Sequence, residues 1–485
     1  MTLENLLKNI GSYEMVGASN SNVNGLTLDS RAVHRGFLYA AVPGTQVDGH
    51  QFIDKAIEAG AKFILCNNYS GKQEGVVFIK VENVAKSLGL IAAHFYNNPS
   101  ENMKVVAITG TNGKTTCATL LHELFTNLGY VCGLISTVEV RIDKEVIKST
   151  HTTPNSIALQ EMMAKMVLKG CQFCFMEASS HAIVQERMSG VEVAIAGFTN
   201  LSHDHLDYHK TLAAYRDAKK KLFDELSSTA FCISNKDDKN GAIMLQNTRA
   251  AKFYYAMSNP ADFKGKIIEM DLEGMLLSIN EKEAWYRLTG KFNASNLLLV
   301  YGVAFLLEED TEQIITALST VGRVKGRFEL MKSKTGIIGI IDYAHTPDAL
   351  INTLNSTNGI RTRNEQLFTV FGCGGNRDKE KRPEMGKAAA TLSDRVIITS
   401  DNPRNENPED IIKDIEVGIP AELKKKSISI TAREQAIFTA VSMAKSGDII
   451  LIAGKGHEDY QEIMGVKHPF DDRDILEKAF NQLEK

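Results

Sequence analysis

Short apolar runs alternate with stretches of helical spacing along most of the chain. KVVAIT, FCFMEA, GIIGIIDYA, LFTVFGCGG, RVIITSDNP and DIILIAGKGHE each read as an apolar strand, and most run into a polar or glycine-rich loop. This alternation predicts an α/β fold with largely parallel sheets, whose ligands gather outside the carboxyl ends of the strands. No fixed-period repeat interrupts the pattern.

The turn-forming stretch Asn97-Asn98-Pro99-Ser100 separates a first unit from the strand KVVAIT, and the Gly- and Arg/Lys-rich segment GRVKGRF reads as a second connection. Three units are therefore expected, over residues 1–100, 101–326 and 327–485. A length of 485 residues suits about three domains, each able to bury its own core.

Charge narrows the class of function. With 55 Lys plus Arg against 59 Asp plus Glu, there is no general attraction to nucleic acid, so acidic ligands must be met by local sites. The N-terminal MTLENLLKNIGSYE has early acidic groups and no apolar run, and no later stretch reaches membrane-spanning length, so a cytoplasmic protein without membrane insertion is expected. The seven cysteines lie mostly in apolar runs and read as buried thiols. Cys171 and Cys174 form a CxxC without the second pair or the histidine that a zinc site needs.

The strongest chemical signal is Gly110-Thr111-Asn112-Gly113-Lys114-Thr115-Thr116, which sits between the strand and a segment with apolar residues at Cys117, Leu121, Leu124 and Leu128. Glycines let backbone N–H groups face a phosphate, and the helix N-terminus adds a favourable dipole. Lys114 is expected at the terminal phosphates and the Thr115 hydroxyl on magnesium. Ile108 stands where the usual Walker pattern has its first glycine, so the loop departs from that pattern.

A nucleotide switch is the rival reading, because Asn235-Lys236-Asp237-Asp238 matches the NKxD signature of guanine recognition. No DxxG segment lies between Thr116 and Asn235. That interval instead holds Glu177, Ser179, Ser180 and His181, and then the run Asn200-Leu201-Ser202-His203-Asp204-His205-Leu206-Asp207-Tyr208-His209. Magnesium favours hard oxygen ligands, which suits Glu177, Thr115 and ATP phosphates, while the histidine-rich run leaves zinc or a solvated loop open.

Together GTNGKTT, MEASSH, FTNLSHDHLDYH and the later DYAHTPDAL resemble the Mur ligase family over nearly the whole chain. The resemblance implies an N-terminal UDP-sugar-binding domain, a central ATPase and a C-terminal Rossmann-like domain that receives an amino acid. The implied reaction phosphorylates a carboxylate with ATP, after which an amine attacks the acyl phosphate. It also implies magnesium, held in part by Glu177 and His205, and a carbamylated lysine, for which Lys219 in Tyr215-Arg216-Asp217-Ala218-Lys219 fits. Only a neutral amine reacts with carbon dioxide, so the pKa of Lys219 would have to be lowered.

TLDSRAVHRGFLYAAVPGTQVDGHQFI resembles the family's uridine-diphosphate domain and implies Ser30, Arg31 and His50 near the nucleotide. That stretch is most similar to the family member extending UDP-MurNAc-L-Ala-D-Glu, which makes this the expected acceptor, and in the family the positions of Thr152, Thr153, Ser179, Gln185 and Arg187 grip the muramoyl peptide. Asp401-Asn402-Pro403-Arg404 resembles the motif of meso-diaminopimelate-adding members. Arg404 can grip the second carboxylate of diaminopimelate bidentately, a group that lysine lacks. Arg377, Gly454 and Glu458 complete the implied pocket. Lysine remains an alternative amino acid, the folylpolyglutamate synthases a distant alternative family, and a monomer is expected. Asp342, Tyr343, Ala344, His345 and Asp348 are expected at the nucleotide or the interdomain cleft.

Overall fold

The computed structural model describes all residues except 19, 20, 45, 46, 70, 72 and 150. Thr45 and Gln46, inside the N-terminal stretch noted above, therefore lie outside the described residues. Three α/β units follow one another along the chain, each built on its own sheet.

The first sheet has five strands in the order Tyr13–Val16, Val77–Val81, Phe63–Cys66, Phe37–Ala40, Gly25–Thr27. Only Tyr13–Val16, at one edge, is antiparallel to its neighbour. The helix Val84–Phe95 covers one face and packs on the helix Ser156–Leu168 of the second unit.

The second sheet has eleven strands, with Lys104–Thr109 between Ile195–Phe198 and Phe173–Glu177, all parallel. Side chains alternate across a strand, so Val106 and Ile108 enter one apolar cluster while Val105 and Ala107 enter the other. Both faces are covered, and this is why the strands read as unbroken apolar runs. Three carboxyl ends meet side by side, leading to the phosphate loop, to Glu177 and to Thr199-Asn200.

The third sheet runs Glu329–Lys332, Ile338–Asp342, Ile449–Ala453, Leu367–Phe371, Arg395–Ile398, Ser427–Ser429, parallel except for its first pair. The four runs identified in the sequence form its centre. A hairpin of Tyr460–Ile463 and Val466–Pro469 sits beside it. All seven cysteines are buried free thiols. Among the described residues no helix is long and apolar enough to cross a membrane.

Candidate active site

A cleft of about 680 Å³ opens where the carboxyl ends of the second sheet face the third unit. Its floor is the phosphate loop. Gly110 and Gly113 have φ of 148° and 88°, and a Cβ on Gly113 would come within 2.6 Å of Asn296 Oδ1, so glycine is required there. Leu128 caps the helix Lys114–Asn127, and Gly129 follows in the left-handed region at φ 96°.

Thr199 and Asn200 strap the loop from the neighbouring strand. The Asn112 N–H donates to Asn200 Oδ1 at 3.0 Å, the Thr111 N–H to the Asn200 carbonyl at 2.8 Å, and the Thr199 hydroxyl to the Asn112 carbonyl at 2.6 Å. Lys114 folds back on the loop, with Nζ donating to the carbonyls of Gly110 at 2.9 Å and Thr111 at 2.8 Å. Thr116 is buried beneath it.

Glu177 is fully buried at the end of its strand. Its carboxylate accepts the Thr137 N–H at 2.6 Å and the Thr137 hydroxyl at 3.2 Å, and no ion pair reaches it among the described residues. Lys219 is also buried, donating to the Gly110 carbonyl at 2.8 Å with its Nζ 4.4 Å from the centre of the Tyr215 ring. Burial, and then the charge of Lys114, push the Lys219 amine well below the usual lysine range. Burial pushes His205 below the usual imidazole range against the pull of Asp204, whose Oδ2 lies 3.4 Å from its Nε2, and the ring lines the cleft. His181 packs edge-on to it with ring centres 4.8 Å apart.

The third unit supplies the opposite wall through Asp342, Tyr343, Ala344, His345, Asp348 and Arg377. Contacts span the cleft: Asn112 Nδ2 donates to Asp348 at 3.2 Å, and His203 Nε2 lies 3.1 Å from Asp378. Arg327 was hidden within the connecting segment. Its Nη2 donates to the Thr115 hydroxyl at 3.0 Å, while its Cζ lies 4.4 Å from the centre of the Tyr343 ring. The GR-rich composition of the segment was a signal of charge, but only folding brings it to a loop 212 positions earlier.

Thr152, Thr153, Ser179, Gln185 and Arg187 come together beside Glu177. Thr152 and Ser179 line the cleft, whereas the Thr153 hydroxyl is buried and donates to the Glu177 carbonyl at 2.8 Å. Arg187 donates to the Thr153 carbonyl at 2.7 Å and to Gln185 Oε1. Ser30 is not brought there: it opens a short helix of the first unit, next to the Asp29–Arg31 ion pair. The NKxD aspartate, Asp238, is spent on backbone, accepting the N–H of Leu201 at 2.8 Å and of Asn240 at 2.7 Å. That leaves it poorly suited to read guanine.

Next to Arg377 and Tyr343, which line the cleft, lies a cluster of charged and polar residues from the third unit. Arg404, in the left-handed region at φ 52°, donates from Nη1 to the Gly375 carbonyl at 2.8 Å and lies 3.4 Å from Glu462 through Nε. A Cβ on Gly374 would be 2.9 Å from Arg404 Nη1 and 3.7 Å from Arg377 Cγ, so the two arginines flank that glycine. Asn402 Nδ2 donates to Glu458 at 2.7 Å, and buried Lys455 reaches Asp401, Asn402 and Glu458. Gly454, at φ 117°, lets the chain pass Asp401, whose Oδ2 would lie 2.9 Å from an added Cβ. Sequence reasoning passed over Lys455, because a lysine between glycines looks like a solvated loop residue.

Comparison with known proteins agrees with this architecture. In chain order, residues 22–96 match the Mur ligase family, catalytic domain, residues 108–304 the Mur ligase middle domain, and residues 326–456 the Mur ligase, glutamate ligase domain. The chain belongs to the Mur ligase family. It is 50% identical over 482 residues to the UDP-N-acetylmuramoyl-L-alanyl-D-glutamate--2,6-diaminopimelate ligase of Bacteroides thetaiotaomicron, covering 99% of this chain and 100% of that protein. The Cytophaga hutchinsonii ligase of the same name is 47% identical over 487 residues, with both chains fully covered. A solved structure bearing that name superimposes with a TM-score of 0.71 at 31% identity, also covering both chains completely.

Proposed function

We propose that this protein adds meso-2,6-diaminopimelate to the D-glutamate of UDP-N-acetylmuramoyl-L-alanyl-D-glutamate at the expense of ATP, in cytoplasmic peptidoglycan precursor synthesis. The observation that carries the reading is the single cleft in which the phosphate loop, Glu177, Lys219 and Arg377 converge, with the Arg404 pocket at its edge. In this reading residues 1–100 bind the UDP-sugar, 101–326 bind ATP and 327–485 receive the amino acid. A single chain suffices for the site, because it supplies both walls of the cleft, and this suits a monomer.

The donor set suits magnesium. Glu177 is a buried carboxylate with no ion pair among the described residues, Thr115 offers a hydroxyl, burial lowers His205, and burial lowers the Lys219 amine toward the neutral form that takes up carbon dioxide as a carbamate. These four residues would hold the metal, and no cluster of three His, Cys, Asp or Glu forms a ready-made cage among the described residues. When bound, magnesium offsets the charge of the phosphates.

The remaining chemistry belongs to the chain. Lys114 exchanges its loop carbonyls for the terminal phosphate, and Arg327 brings a second positive charge to the same end. A D-glutamate carboxylate oxygen attacks the γ-phosphorus, the bond to the β-phosphate oxygen breaks, and ADP leaves. The neutral amine of the amino acid then attacks the acyl carbon. Phosphate departs, the nitrogen loses a proton, and an amide remains. Thr152, Ser179 and Arg187 fix the acceptor, while Arg377 and Arg404 meet the carboxylates of diaminopimelate and Asp401, Asn402 and Glu458 its ammonium.

Phosphate release with Mg-ATP and the UDP-dipeptide, with diaminopimelate or L-lysine supplied in parallel, tests the reading. Turnover with diaminopimelate alone supports it. Turnover with lysine alone keeps the ligase but removes the role of Arg404 in specificity, and turnover with neither overturns the proposal.

A further inference from the structure

The amino-acid pocket contains a cation to which the reaction above gives no task. The Lys455 side chain is completely inaccessible, with Nζ 3.0 Å from Asn402 Oδ1, 3.4 Å from Asp401 Oδ1 and 3.5 Å from Glu458 Oε2. A buried ammonium is strongly disfavoured unless it is paired and hydrogen-bonded, so a lysine drawn in from a glycine loop must balance something there.

Two carboxylates face it. Against the upward push of burial, Lys455 holds Asp401 below the usual carboxylate range. Glu458 is raised, by burial and then by Asp401, with Lys455 and Asn402 opposing. Of the other cations nearby, Arg377 and Arg404 are kept for the substrate's carboxylates in that reading, and each of the following already has an acidic neighbour. Arg433 is paired with fully buried Asp472 through two 2.7 Å hydrogen bonds, Arg382 is held by Glu406 and Asp414, and Arg404 faces Glu462. Tyr343 and Tyr460 complete the surroundings of Glu458 and carry no positive charge. Among the described residues Asp401 and Glu458 thus share Lys455 as their contacting cation, with Arg433 and His345 acting on Asp401 from further off, and the trio is one positive charge short.

We propose that Lys455 is a positioning residue for the amino-acid substrate: it holds Asp401, Asn402 and Glu458 as a preformed receptor with a net charge of minus one, which the substrate's own ammonium group completes. The inference rests on the amino-acid ligase reading and deepens it. Glu458 is raised in the empty pocket and stabilised as the anion by an arriving ammonium, so substrate binding on the acid side drives a proton off Glu458. Without Lys455, Glu458 rises further, and the acid limb of kcat/KM for the amino acid moves to higher pH.

The test compares wild type with Lys455→Met and Lys455→Arg, measuring KM for each of the three substrates and the pH profile of kcat/KM for diaminopimelate. Lys455→Met is expected to raise KM for diaminopimelate on the order of 100-fold, with KM for ATP and for the UDP-dipeptide within about threefold. Its acid limb should shift upward, and Lys455→Arg should restore the limb. An equal rise in all three KM values, or an unmoved limb, overturns the proposal. Should Lys455→Met fail to fold, calorimetry of diaminopimelate binding to the wild-type enzyme in two buffers of different ionisation enthalpy decides. Proton release that is abolished in Glu458→Gln supports the receptor, and no release overturns it. If wild type turns over neither amino acid, it is the proposed function that fails, not this refinement of it.

Discussion

The two ends of the active region handle charge in opposite ways. At the phosphate loop no ion pair reaches Glu177 among the described residues, and burial pushes Lys219 and His205 toward their neutral forms. At the amino-acid pocket nearly every charge is already matched inside the protein, by Lys455 with Asp401 and Glu458, Arg382 with Glu406 and Asp414, and Arg433 with Asp472. The first end is left open for ligands that bring their own charge in quantity. The second is nearly closed, so that a small ligand is judged by whether it supplies the few charges still missing. In the proposed reaction, reactivity and selectivity would thus be kept at separate ends of the cleft.

Substitutions can break this contrast in graded steps. Lys219→Ala should cause the largest loss, lowering kcat for phosphate release about a thousandfold while leaving the melting temperature near wild type, because it removes charge from the open end. Arg404→Ala should lower kcat/KM for diaminopimelate roughly 300-fold and reduce its advantage over lysine by a similar factor, as measured by competition between the two amino acids. Arg327→Met should lower kcat/KM for ATP by about 10- to 100-fold without changing KM for diaminopimelate. An equal effect on both substrates would show that the two ends are not separable.

Smaller effects test the closed end as structure. Arg382 holds the Glu406 carboxyl down to about 2, below its ordinary value of 4.5. A depressed carboxylate contributes stability above its unfolded pKa, and that contribution is lost as pH falls from about 4.5 toward about 2. Glu406→Gln should therefore lower stability by about 2 kcal/mol at neutral pH in urea unfolding, and by less as the medium is acidified. The exposed Lys148–Asp459 ion pair also links the second and third units. Lys148→Ala should change stability by less than about 1 kcal/mol and leave turnover near wild type.

Legibility in the sequence follows the range of the interactions involved. The phosphate loop was readable because its glycines, lysine and helix are local, and the parallel sheets were readable because doubly covered strands are apolar throughout. Lys219 stood out only through its resemblance to a family pattern, since a triple lysine otherwise reads as a solvated helix face. Arg327 and Lys455 were not legible. Arg327 meets Thr115 from 212 positions away, and Lys455 draws Asp401 and Asn402 from more than fifty positions away, with only Glu458 close in sequence, so nothing nearby distinguishes either from a surface cation. The fully buried Thr153 taught the converse lesson, since a polar residue expected at a ligand is spent on the scaffold.

The carbonyl of Gly110 receives both Lys114 and Lys219, and Lys114 also holds the Thr111 carbonyl. Nucleotide capture by Lys114 is therefore a swap of partners, in which neutral dipoles must be displaced before a phosphate is gripped. A weakly charged anion gains little from such a trade, whereas the tail of a triphosphate gains a great deal. In the proposed reaction the loop is therefore expected to favour the tail of a triphosphate, whose total charge exceeds that of orthophosphate, and to hold a lone phosphate only weakly.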